Sequence, residues 1–206
     1  TLDPDLLREG ERNLRDYFES RGYFQVEVTS RRSASDNGHV SVEYAITLGP
    51  RQHLAGIEIS GNRYFQAAVL RERMRMQPAR ARLRYGQFSR TLLDQDADAI
   101  RALYQSNGFA AVEVRSSLNP APDSRDGIVV AFEIVEGPQT YIGTFALSGN
   151  HNFSTEQLEP YINATVGQPY SESMVATDRN ILLTYYWNAG FPQARFDSAV
   201  SAPGEG

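Results

Sequence analysis

The chain has 206 residues, 41% hydrophobic and 22% charged, with a net charge of −5 and no cysteine. That apolar share suffices for a packed core and excludes wholesale disorder. The missing cysteine excludes a disulfide scaffold and thiolate chemistry, and the acidic balance argues against nucleic acid as the main partner.

The longest wholly apolar run, Ile128 to Phe132, falls far short of the roughly 20 residues a membrane helix needs. All 20 basic residues are arginine, which reflects genome composition more than mechanism. Thr1 is not an initiator methionine and no signal peptide opens the chain, so the expectation is an excised, processed or partial piece. Length alone, at roughly 150 residues per domain, gives one or two domains.

In chain order, apolar spacing predicts a helix over Leu6 to Arg21, then strands over Phe24 to Ser30 and Val40 to Leu48. A strand follows at His53 to Ser60, ended by the turn-forming pair Gly61-Asn62. Phe65 to Met76 has helical spacing through Phe65, Val69, Leu70, Arg73 and Met74. A second helix is expected over about Ser89 to Ser106, with Asp94, Asp96 and Asp98 near its positive N-terminal end. Gly108 stops it in the left-handed C-terminal position, and a strand over Ala110 to Leu118 comes next. Asn119 to Gly127 reads as a long polar hairpin loop, Ile128 to Val135 as a β-branched strand, and Gly137-Pro138 as its end. Further on, Ser154 and Gln157 form a capping box, Phe153 is placed to staple onto Leu158, and Gln193 to Ser201 is a strand before a Gly204-Glu205-Gly206 tail.

These elements repeat. Leu14, Tyr17, Phe18, Gly22, Val26 and Val28 share their offsets with Ile100, Leu103, Tyr104, Gly108, Val112 and Val114, and with Leu182, Tyr185, Tyr186, Gly190, Ala194 and Phe196. Ile59-Ser60-Gly61-Asn62 returns 88 residues later as Leu147-Ser148-Gly149-Asn150, and Leu48-Gly49-Pro50 returns as Glu136-Gly137-Pro138. Three markers in one phase define a repeat. Its order is β-α-α-β-β, an α+β unit with two helices over a three-stranded mixed sheet. The expected organisation is a partial repeat at 1–51 (second helix, second and third strands), a complete repeat at 52–140, and a repeat at 141–206 that lacks its last strand. Short junctions holding Pro50 and Pro138 would set these in series as an elongated arm.

The combination of Gly-Asn turn, two helices, aromatic-x-x-x-Gly, strand hairpin and Glu-Gly-Pro resembles the polypeptide-transport-associated (POTRA) domain. Tandem copies resemble the periplasmic arm of the outer-membrane barrel-assembly (BamA-like) family. The resemblance rests on Gly61, Asn62, Tyr104, Gly108 and Glu136 to Pro138 in the complete copy. It rests on Gly149, Asn150, Tyr186 and Gly190 in the last copy, and on Gly22 and Gly49-Pro50 in the first. It implies a non-enzymatic receptor arm in the periplasm, with no cofactor and no metal. The implied partners are unfolded outer-membrane protein precursors, accessory assembly lipoproteins and a β-barrel C-terminal in the parent chain, with no nucleic acid. The arm of a two-partner secretion transporter, a translocation-and-assembly module and a cell-division-type partner-binding module are the alternatives.

By the same resemblance the second strand is a sheet edge. Ala111, Val112, Glu113, Val114 and Arg115 are then the candidate client-binding edge, where an extended peptide can add as another strand through nearly sequence-blind main-chain bonds. The bland reading is that Glu113 and Arg115 only keep the edge soluble. Arg71, Arg73, Arg75, Arg80, Arg82 and Arg84 crowd around seven residues absent from the last copy. They read either as a basic surface for an acidic partner or lipid head groups, or as a solvated helix face and loop. The aromatic-to-Gly motif reads as core packing and capping. Asp94-x-Asp96-x-Asp98 imitates a calcium loop but lacks its glycine and its last glutamate, while His39, His53 and His151 have no ligand spacing. Asn152 and Asn163 head glycosylation sequons, and no P-loop, nucleophile-elbow or dinucleotide fingerprint occurs.

Overall fold

The computed structural model describes residues 4–34 and 40–201. His39 and the Gly204–Gly206 tail lie outside them. The order is α1 (Pro4–Glu19), β1 (Glu27–Ala34), β2 (Val40–Thr47), β3 (His53–Ser60), α2 (Ala67–Glu72), α3 (Arg90–Gln105), β4 (Glu113–Pro120), β5 (Gly127–Val135), α4 (Thr155–Leu158), a 3-10 turn at Glu159–Tyr161 and α5 (Glu172–Asn188). The residues group into two compact units, Thr1–Arg101 with Glu113–Val135, and Ala102–Val112 with Glu136–Gly206.

The first unit holds both sheets. β1 and β2 form an antiparallel pair. The other sheet has the order β3-β5-β4, with β3 parallel and β4 antiparallel to β5. This is the expected β-α-α-β-β order and mixed sheet. The last strand in sequence is the central one in space, because β3 can reach a parallel partner only through the α2–α3 crossover while β4 turns back on β5 as a hairpin. β5 is buried accordingly: Ile128, Val129, Val130, Phe132 and Ile134 are all core, with Leu54, Leu70, Leu93, Ala97 and Ile100 from β3, α2 and α3.

Several expectations for the first unit need correction. Among them, β1 begins at Glu27 rather than Phe24. The spacing predicted a helix to Met76, but α2 ends at Glu72. Asp96 takes the backbone N–H groups of Arg75 (2.8 Å) and Met76 (3.0 Å), which pulls that segment out of the helix. The strand after Gly108 begins at Glu113, not Ala110, because Val112 N–H closes a turn onto Phe109 O. That strand then runs to Pro120, so the polar loop is shorter than expected; a proline is tolerated there because β4 is outermost.

The second unit corrects the expectation of strands in the last repeat. Its described residues form no strand; one isolated bridge joins Tyr141 and Pro169. The strand that would sit between residues 142–149 and 193–201 is the counterpart of β5, and no described residue supplies it. An edge strand without its central neighbour has no ladder to join. An open cleft of about 1780 Å³ lies between these segments, lined among others by Ile142, Phe145, Leu147, Leu182 and Phe196. Gly61 and Gly149 record the same difference. A Cβ on Gly61 (φ +78°) would lie 2.0 Å from Ile134 O of β5, whereas one on Gly149, with the same φ, meets nothing within 4 Å. At the start of α4, Ser154 N–H donates to Gln157 Oε1 (2.9 Å). Phe153 stacks edge-on with Tyr185, Tyr186 and Phe191.

Candidate functional site

β4 is the outer strand of the three-stranded sheet, and nothing in the described sheet lies beyond it. Val114 is its one buried residue; Glu113 and Arg115 are exposed and paired across the same face at 2.6 Å. Of the five candidate edge residues, Glu113, Val114 and Arg115 are on the strand. Ala111 and Val112 precede it in the turn, and Val112 is buried, so neither offers an edge. The usable edge extends the other way, through Ser116 and Ser117 to Leu118, which is 39% exposed.

Among the described hydrogen bonds the outer sides of β3 and β1 are partly covered, while β2, outermost in its own sheet, shows no such cover. On β3, Leu54 N–H donates to Tyr85 O (2.9 Å) and Leu54 O accepts from Ala79 N–H (2.7 Å). The covering segment is a small hairpin, closed by mutual bonds between Gln77 and Gln87 and between Arg80 and Leu83. The Arg-rich insertion is therefore a clasped hairpin on the rim of β3 rather than a free loop. The last repeat does the same with fewer residues: Ile142 bonds Gln168 O and Gly167 N–H, both at 2.8 Å. On β1, Ser30 N–H points away from β2 and donates to Glu11 Oε1 of α1 (2.6 Å). The hydrogen bonds from Ser30 hold the Glu11 carboxyl below its ordinary pKa. At the corresponding place in α3 stands Ala97, which can accept nothing, so Ser116 of β4 has no such cover from that position.

The aromatic-to-Gly motif is one cap built three times. Gly22, Gly108 and Gly190 have φ near +90°. Their N–H groups bond Glu19, Gln105 and Trp187 O, and the next N–H bonds Phe18, Tyr104 and Tyr186 O, which is the full Schellman pattern. The residues joined by the longer bond are aromatic each time, with rings edge-on at 6.4, 5.5 and 6.0 Å for Phe18–Tyr23, Tyr104–Phe109 and Tyr186–Phe191. Asn62 and Asn150 each tie their turn by donating to Phe65 O and Phe153 O.

Sequence reasoning missed several residues. Asp96 and Asp178 occupy the same place relative to the capping glycine, are buried, and each binds two successive backbone N–H groups, Arg75 and Met76 or Asn163 and Ala164. Asp96 is thus a buried staple, while Asp94 and Asp98 are exposed. Tyr104 O–H donates to Glu136 Oε1 (2.8 Å), joining the cap to the Glu-Gly-Pro marker. The first copy has Phe18 and Leu48 there, with hydroxyl and carboxylate both gone; that paired change was the available signal.

The cap glycines also carry the junctions. Gln52 N–H bonds Gly22 O (2.6 Å) and Thr140 N–H bonds Gly108 O (2.8 Å). At the first junction Arg51 donates to Tyr23 and Tyr85 hydroxyls and lies over both rings, and Phe24 packs on Phe88. Buried Glu19 accepts Arg90 N–H (2.8 Å) at the start of α3, with Oε1 3.4 Å from Arg90 Nε. Burial pushes its carboxyl above the ordinary value, against the opposing Arg90 N–H and guanidinium. Among the described residues no cluster of ligating side chains could hold a metal ion, and no helix is long and apolar enough to cross a membrane.

Several known proteins are similar. A "Putative outer membrane protein assembly factor" of Treponema pallidum (strain Nichols) is 30% identical over 165 residues, 78% of this chain and 20% of that protein. "Outer membrane protein assembly factor BamA" of Nitratidesulfovibrio vulgaris is 22% identical over 216 residues, 99% of this chain and 26% of that one. The chain therefore spans about a fifth to a quarter of the length of these relatives. Among solved structures, the Haemophilus influenzae BamA POTRA3-5 fragment aligns over 89% of this chain and 69% of its own, with a TM-score of 0.58 at 18% identity. Haemophilus ducreyi BamA lacking POTRA domains 1-3 aligns over 70% of this chain and 25% of its own, with a TM-score of 0.51, also at 18% identity. At those identities the structures support the fold alone. The family described as "POTRA: Surface antigen variable number repeat" matches residues 53–137 and 140–206, and the chain belongs to that family.

Proposed function

We propose that this chain is part of the periplasmic arm of an outer-membrane barrel-assembly factor, and that it takes up extended client polypeptides as an added strand on β4. The names of the two relatives support the first part. The second rests on one observation: within the three-stranded sheet β4 is an outer strand with no cover among the described residues, while the other outer strand, β3, is clasped by the 77–87 hairpin. Unpaired main-chain groups accept any extended segment, which suits a receptor for many barrel precursors whose strands share little sequence. The working location is the periplasm, ahead of a barrel in the parent chain and beside accessory lipoproteins. The fold belongs to a scaffold rather than to an enzyme.

The test is chemical-shift mapping with an extended peptide. Binding should perturb Glu113 to Leu118 most. Proline at Ser116 or Ser117 sharpens it, since consecutive strand residues point their N–H groups to opposite sides. One proline removes a bond to β5 and damages the sheet. The other removes an outward N–H, keeps the fold and should abolish peptide binding. Val114 is unsuited to this test because it is core. Shifts that avoid β4, or a folded proline variant that binds normally, would refute strand addition.

A further inference from the structure

The opposite side of the same sheet carries a feature that strand addition on β4 does not use. Between Arg71 and Arg84 lie six arginines and one acid, Glu72, in a chain whose net charge is −5. Among the described ion pairs none involves these arginines. Arg71 donates to Ile57 O (3.4 Å), Arg75 to Gln95 Oε1 (3.3 Å), and Arg84 lies over the Tyr85 ring. None of those contacts neutralises a guanidinium. The hairpin that carries Arg80, Arg82 and Arg84 is pinned to β3 through Leu54, so the charges sit on a fixed support.

Beside that hairpin lies an open cleft of about 510 Å³, lined by Ile57, Met74, Met76 and Pro78, with Arg71 and Arg80 also on its wall. Met76 is buried, so the floor is apolar. Methionines adapt to irregular side chains, and arginine binds carboxylate in a forked geometry. We propose that this cleft and hairpin form a second binding surface, for an acidic polypeptide segment with a bulky apolar side chain beside its carboxylates. The apolar group enters the cleft while Arg71 and Arg80 take the acids. An anionic lipid surface would match the charge but leave the apolar cleft without a role, which favours a peptide. This site lies on the β3 side and does not depend on the reading of β4.

The experiment uses the 206-residue chain and a short fluorescent peptide with a Glu-Phe-Asp centre, read by anisotropy. The controls are a Lys-Phe-Lys peptide and phosphatidylglycerol vesicles. The acidic peptide should bind, and more weakly as salt rises. Arg71→Glu with Arg80→Glu should weaken it by about tenfold or more, and Met74→Gln by several-fold, each with an unchanged circular dichroism spectrum. Arg115→Glu on β4 should leave this binding unaltered, which separates the outcome from that of strand addition. Equal binding of both peptides, or indifference to the Arg71 and Arg80 changes, overturns the proposal. Vesicle binding that those changes abolish, without binding of the acidic peptide, overturns it in favour of a membrane contact.

Discussion

Gly22, Gly108 and Gly190 share a cap, yet their surroundings differ in a way that predicts unequal tolerance. A Cβ on Gly108 would fall 2.5 Å from Thr140 O and one on Gly22 2.6 Å from Gln52 O, while one on Gly190 meets nothing within 4 Å. Gly190→Ala should therefore cost only the left-handed strain of an L residue, about 1–2 kcal/mol. Gly108→Ala adds a backbone collision that must be relieved by moving the junction, and should cost roughly twice that. Urea titration of the two variants checks the order; equal losses would mean that the close approach of Thr140 has no energetic weight. A second residue-scale expectation concerns Asp96. Asp96→Ala strands two backbone donors beside buried Met76, a loss of about 2–6 kcal/mol at the usual 1–3 per unsatisfied group. Asp94→Ala, on an exposed side chain of the same helix, should stay within about 0.5 kcal/mol.

At the scale of elements, the repeat made most of the architecture legible, because a fixed offset from each capping glycine places the same helix end and the same strand three times. Boundaries were less legible where a distant group decides them. Met74 has the spacing of a helical residue, but Asp96, 20 residues or more away from the N–H groups it binds, ends α2 earlier. The delay before β1 and β4 comes from the turn that follows the cap, in which Val26 and Val112 bond back to Tyr23 and Phe109. The covered and open edges could not be read locally at all, since Glu11 lies 19 residues from Ser30 and Leu54 is clasped from residues 79 and 85. Neither could the contact of α1 with α3, where Glu19 and Arg90 are 71 residues apart. That contact carries a pH signature. Burial raises the folded pKa of Glu19 above its unfolded value, so its contribution to stability is whole below the unfolded pKa and is lost as pH rises through the folded one. Glu19→Gln lacks this titration. From about pH 4 to pH 7 the native chain should lose stability relative to Glu19→Gln, measured as the difference between their urea midpoints; the reverse slope would contradict the burial argument.

On the scale of the whole molecule, the three segments that share this cap differ in the strands their described residues form, and an order of stability follows from that difference. The middle segment has the central strand β5 bonded on both sides, with its apolar side chains buried. The first has one ladder, between β1 and β2. The last has α4 and α5 with buried Leu158, Ala164 and Leu182, but no ladder among its described residues. Its helices are held by the Asp178 staple and by the aromatic group around Phe153, not by a sheet. Local opening costs least where few bonds and little apolar contact must break. Hydrogen exchange on the chain should then show three classes. The amides of β5 exchange slowest, through global unfolding. Those of β1 and β2 are intermediate, and those of 143–149 and 193–201 exchange fast, while α5 keeps partial protection at Leu182. The cleft between the two fast segments adds a directional expectation. A peptide with the alternation of β5 should slow exchange in both segments together, because a central strand bonds on both sides, whereas a peptide bound to β4 slows only β4. Slow exchange in 143–149 and 193–201 without any added peptide would show that these segments already find partners in solution, and would move the weak point of the molecule elsewhere.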